Sequence, residues 1–167
     1  GCVVTLLPER EMRERFVDRR FGYHVISFLD YSQNPYRAEK DSIIRKWNLG
    51  ITEDSRGEYR KGKLVNPSHP LVFYIDTCCP SEFVPYIKEG VLAWNAAFEK
   101  AGFKNALRVK MADSETVLEE QRAVIAYDLS EAGIRTGYTF HPKTGEILSC
   151  RVNIGHGFLP KELWRYL

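Results

Sequence analysis

The sequence predicts an α/β fold: a mixed, mainly parallel sheet with one antiparallel edge strand and a long helix packed on it. Three observations carry this. The run LVFYID (71–76) is short, apolar and closed by Asp76, as a buried strand requires. After it, Phe83, Ile87, Val91, Trp94, Phe98 and Ala101 recur at helical spacing and make one continuous apolar face. Further on, residues 137–140 and 146–153 flank HPKTG (141–145), with proline and glycine where a hairpin turn wants them.

In chain order, residues 5–20 (TLLPEREMRERFVDRR) are dense in charge and read as a surface arm. FGYHVISFL (21–29) is rich in β-branched and aromatic residues, a strand pattern. Ser32, Asn34 and Pro35 then mark a turn, and DSIIRKWNL (41–49) reads as a strand or a helix turn. Residues 50–70 hold Gly50, Gly57, Gly62, Pro67 and Pro70, so the expected division is 1–70 as N-terminal arm and linker segments and 71–167 as an α/β unit. In that unit Ser81 is placed to N-cap the helix and Gly102 to end it. Residues 106–111 and 123–128 supply further strands, 112–122 a helix or loop, and 159–167 the spacing of a short helix. A right-handed crossover makes the first two strands of the unit parallel neighbours, and the hairpin supplies the strand that runs the other way.

Composition narrows the function classes. The chain has 167 residues, a formal net charge of +2, 44% hydrophobic and 28% charged residues. The aromatic content and recurring apolar runs exclude overall disorder, and no run approaches the ~18 apolar residues of a membrane span. Balanced charge offers no footprint for nucleic acid. Cys2, Cys78, Cys79 and Cys150 form neither CxxC pairs nor a disulfide framework, and Cys78 and Cys79 read as buried apolar residues. The start at Gly-Cys without Met suggests a processed or excised piece, with any export signal already removed.

Catalytic motifs are sparse. GxSxG, GxxxxGK[ST] and GxGxxG do not occur, and none of His24, His69, His141 or His156 lies in HExxH, the spacing that turns two imidazoles to one zinc. Asp76 and Asp128 both close apolar strands, where open α/β sheets gather ligands. Two carboxylates there could hold Mg²⁺ for phosphoryl transfer, or could cap their own turns. His156, between Gly155 and Gly157, stands where backbone can approach a ligand or simply in a solvated turn. Trp94 reads as core, and residues 56–63 as a solvated basic loop. An exposed edge over 136–141 would offer N–H and C=O groups to an extended peptide.

Residues 70–107 (PLVFYIDTCCPSEFVPYIKEGVLAWNAAFEKAGFKNAL) resemble the start of the catalytic domain in a family of large bacterial zinc-dependent metalloproteases, metzincin-like in fold. HPKTGEILSCRVNIGH (141–156) is similar to that family's DPRTGEI hairpin, with His141 where the family often has Asp. VDRRFGYHVISFLDY (17–31) and IIRKWNL (43–49) resemble its DxRVGYF and RWRL segments. The resemblance implies the upper subdomain of a metzincin-like peptidase, whose antiparallel edge strand lines the cleft and pairs with substrate backbone. It thereby makes Tyr138, Thr139 and Phe140 the peptide-binding candidates.

The same resemblance places the HExxH helix, third histidine and Met-turn beyond Leu167. No zinc ligand and no catalytic residue carries over to this chain, which is expected to bind no cofactor and to be inactive alone, zinc belonging to the complete enzyme. The expected partner is a peptide or protein substrate, with no nucleic acid and no membrane span. Self-association through an uncovered sheet face is also expected. The family implies the cell envelope or secretion. Two other readings stand beside it: a non-catalytic peptide- or protein-binding α/β module, and a Mg²⁺-dependent phosphoryl-transfer enzyme using Asp76 and Asp128.

Overall fold

The computed structural model describes residues 6–9, 11–18, 20–32, 34, 36–113, 123–129 and 133–158. Cys2, most of the 112–122 connection and the 159–167 tail lie outside the described residues. The chain divides into two compact units, residues 1–48 with 139–148, and residues 49–138 with 149–167.

In the first unit β1 (Val25–Asp30) and β2 (Glu39–Ile44) pair antiparallel, Val25 opposite Ile44 and Asp30 opposite Glu39. Val, Ile, Phe and Leu suit a pleated surface, which is why VISFLD extends. The strand begins at Val25, later than the apolar run at Phe21 suggests, because Phe21 N–H bonds back to Asp18 C=O in a turn. Beyond the strand, Asp30 accepts the Ser32 N–H (2.8 Å) and Asn34 that of Tyr36 (2.9 Å), side-chain turns that reverse the chain. Part of the charged arm is structured: Ile44 N–H bonds Arg15 C=O and Val17 N–H bonds Ser42 C=O, along the side of β2 away from β1. Ile43 and Ile44 are buried.

The hairpin turn belongs to this unit. Lys46 N–H donates to Gly145 C=O and Ile147 N–H to Lys46 C=O, both 2.9 Å. Gly145 has φ +70°, and a Cβ there would run into the Ile44 carbonyl oxygen, so both the conformation and the space demand glycine.

The second unit opens with α1 (Glu53–Arg60), inside the stretch read as linker. Its Tyr59 donates to Ala101 C=O and covers Gly102, whose φ is +92°. β3 (Leu71–Ile75) follows, then α2 (Val84–Ala93), α3 (Asn95–Lys100), β4 (Leu107–Met111), β5 (Ala123–Asp128), β6 (Ile134–Phe140), whose last two residues belong to the first unit, and β7 (Ile147–Gly155), whose first two do. The sheet order is β4-β3-β5-β7-β6, with β3 parallel to β4 and β5, and β5 parallel to β7. Gly155 N–H bonds Gly133 C=O at one end of the β6–β7 hairpin and His141 N–H bonds Glu146 C=O at the other, so β6 runs against β7. The fold is thus α/β with a mixed, mainly parallel five-stranded sheet. β5, at its centre, is buried through Tyr127, and Ile75, Cys79 and Tyr127 form a core against Phe83, Val84 and Ile87. Full burial of a side chain such as Ile75 is worth ~1.5–3 kcal/mol.

The expected single long helix is corrected in three respects. It starts at Val84 with Phe83 in the cap position rather than Ser81, no side chain bonds the cap, and it breaks at Trp94. Trp94 is 66% exposed, not core. Asn95 turns inward instead, because its amide bonds the backbone of Leu107 at the start of β4. The inward face is therefore Val84, Ile87, Val91, Asn95 and Phe98, one residue off the purely apolar stripe at its far end. Among the described residues no helix is long and apolar enough to cross a membrane.

Candidate functional site: the outer strand of the sheet

β6 lies at the end of the strand order with one neighbour, β7. Residues 134–139 are exposed throughout, and no strand of the described residues pairs with the outer side of β6. Successive residues of a strand turn their peptide groups to opposite sides. Gly133 and His141 both bond toward β7. The groups of Arg135, Gly137 and Thr139 therefore face β7, and those of Ile134, Thr136, Tyr138 and Phe140 face outward.

That parity separates the three sequence candidates. Tyr138 and Phe140 turn backbone to the open edge, whereas Thr139 is exposed but turns its backbone to β7. Thr136 shares the outward orientation and was not among the candidates. The missing signal is ladder parity, which depends on where the turn closes and cannot be fixed from strand composition. The Tyr138 hydroxyl bonds Cys150, and this bond offsets part of the upward push that burial gives the Cys150 thiol. Phe140 lies under the Arg45 guanidinium, 5.8 Å from ring centroid to Cζ.

The turn that fixes this parity is built by His141, 1% exposed. Its Nδ1 accepts the N–H groups of Lys143 (3.2 Å) and Thr144 (3.3 Å), so the ring proton sits on Nε2, 3.5 Å from Glu11 Oε1. An Asp in this position could accept the same amides, so His141 fills the structural role of a carboxylate in this turn. Thr144 Oγ1 accepts the Glu146 N–H, and Asn48 donates to Glu146 Oε1 at 3.0 Å.

The other candidates are engaged locally. Asp76 is buried; its Oδ1 accepts the Cys78 N–H and the Thr77 hydroxyl, and its Oδ2 faces Arg151 at 3.9 Å. Asp128 ends β5 opposite Gly155. His156 is exposed, and its Nδ1 meets the Tyr127 hydroxyl at 2.7 Å. Burial and the Asp76 charge both push the Cys79 thiol up. An open depression of about 320 Å³ over Ala93, Trp94, Ala96, Ala97 and Lys100 has no converging polar groups other than the lysine. Among the described residues no three His, Cys, Asp or Glu side chains stand close enough together to hold a metal ion. These residues do not fit a zinc site, and no chemical step through a metal is assigned to them.

Residues 2–52 match a family described as a domain of unknown function (DUF5117). That segment holds β1 and β2 and stops before α1. No curated protein and no solved structure matches the chain.

Proposed function

We propose that this chain holds an extended peptide along β6, as the cleft-edge element of a metzincin-like zinc-dependent peptidase whose zinc ligands are supplied outside these 167 residues. The observation that carries the reading is the outer position of β6, exposed on both faces, with Thr136 and Phe140 turning peptide groups away from the sheet. A peptide laid there would continue the ladder by strand addition, main chain giving affinity and side chains giving selectivity. The family resemblance of residues 70–107 and 141–156 supports the peptidase context.

Magnitudes limit what the edge does alone. Four to six backbone hydrogen bonds at a net ~1 kcal/mol each hardly exceed the ~4–15 kcal/mol cost of association. Binding by the edge alone is therefore weaker than millimolar, and a neighbouring pocket or metal would have to add the rest. A binding module without chemistry would use the same edge with the same weakness unless its partner engaged further surface.

The test is an amide NMR titration with unstructured peptides taken to tens of millimolar. Shifts centred on 134–140 that vanish in Thr136→Pro support the reading, since that proline removes an outward donor and leaves the β7 ladder intact. Shifts confined to other strands would contradict it.

A further inference from the structure

We infer that β1 is a self-association edge, on which a second copy of this chain adds its own β1 antiparallel about a two-fold axis at Ser27. The two-stranded sheet leaves one side of β1 without a strand among the described residues. Three hydrogen bonds fix which residues face that side. Arg45 N–H bonds His24 C=O, so the groups of His24 face β2, as do those of Ile26, Phe28 and Asp30 by alternation. Val17 bonds Ser42 and Arg15 bonds Ile44 on the far side of β2, so these two β2 residues turn their groups away from their β1 partners Ser27 and Val25. Val25, Ser27 and Leu29 accordingly direct N–H and C=O to the open side. The Ser27 and Ser42 hydroxyls, 2.9 Å apart, show the close side-chain approach of a pair that is not bonded through its backbone.

Backbone parity then selects the register. Only outward residues can bond outward residues, and the pairing that uses all three sets Ser27 against its own copy and Val25 against Leu29 of the partner. Side chains follow from that choice. On one face, Asp30 comes opposite His24 of the partner copy, and Phe28 opposite Ile26, each pair occurring twice. On the other face Leu29 meets Val25, again twice. The Asp30 carboxylate, held below the usual carboxylate range by the Ser32 hydroxyl and N–H, presents an acceptor to an imidazole donor. Phe28 and Leu29 are 39% and 58% exposed, more apolar surface than an edge strand ordinarily shows to water. Hydrogen-bonding side chains, apolar surface and backbone groups therefore match under one symmetry operation, as a two-fold interface requires. Its occupant is a second copy; the peptide proposed for β6 lies on a different strand, and either inference can fail alone.

The test is sedimentation of the full chain over a wide concentration range, with its variants. A concentration-dependent dimer is expected, weaker by roughly tenfold in His24→Asp, which sets like charges opposite each other, and restored in His24→Asp/Asp30→Lys. Ser27→Pro, whose lost N–H faces outward, is expected to abolish the dimer while far-ultraviolet circular dichroism stays unchanged. A monomer at all concentrations, or a dimer indifferent to both the charge pair and the proline, overturns the inference; the charge-pair result stands if the proline variant fails to fold.

Discussion

Asn95 holds both backbone groups of Leu107: its Nδ2 donates to the Leu107 carbonyl (3.1 Å) and its Oδ1 accepts the Leu107 N–H (2.8 Å). The side chain stands at the break between α2 and α3 and ties the helix to the outer strand β4. Leu107 is buried, so deleting the amide leaves a donor and an acceptor away from water.

Asn95→Ala is expected to destabilise the second unit by about 2–4 kcal/mol, an unsatisfied buried group costing ~1–3 kcal/mol. Asn95→Asp keeps the acceptor and loses the donor, and should fall between the two. Urea unfolding midpoints rank the three; an alanine variant as stable as the parent would show that the amide is not what sets the break.

Gly145→Ala tests the hairpin turn. A left-handed φ costs an alanine ~1–2 kcal/mol, and the methyl also meets the Ile44 carbonyl oxygen, a backbone atom that cannot swing aside. A loss of at least ~2 kcal/mol is expected in thermal or urea unfolding. By contrast Gly137→Ala, with nothing near its Cβ, should cost little.

The cysteines give a pH prediction. Burial pushes the Cys79 and Cys150 thiols up, Asp76 adding to the effect at Cys79 and the Tyr138 hydroxyl opposing it at Cys150. In the unfolded chain these thiols ionise at their ordinary value, about 8.5, while in the fold they stay protonated. Their contribution to stability is therefore fully present below that pH and is lost as pH rises through the folded values. The unfolding midpoint should fall on the alkaline side, and Cys79→Ala/Cys150→Ala should flatten that fall. Exposed Cys78 should be alkylated by iodoacetamide well before either, as peptide mass spectrometry would show.

Much of the sheet was legible because its strands carry continuous apolar runs: LVFYI and AVIAYD became β3 and β5 with nearly the expected bounds. The helix face was misread at Trp94 because apolar periodicity cannot see that a polar Asn95 finds its partners on a strand twelve residues ahead. Helix α1 was hidden by Gly57 and the surrounding charges, which lower helix propensity without preventing a helix that Tyr59 anchors to Gly102. At the candidate edge, position in the sheet was legible from the hairpin. Which residues turn backbone outward was not, since parity is set by the His141 turn and a one-residue change would exchange Thr139 for Tyr138.

Site-resolved amide hydrogen exchange over residues 134–140 tests the open edge most directly. In the free chain, Thr136 and Phe140 should exchange much faster than Gly137 and Thr139, whose amides face β7. Extended peptide at tens of millimolar should slow the first pair in proportion to the fraction bound and leave the second unchanged. Protection of Thr136 and Phe140 in the free chain, or no change on adding peptide, would contradict an open peptide-holding edge.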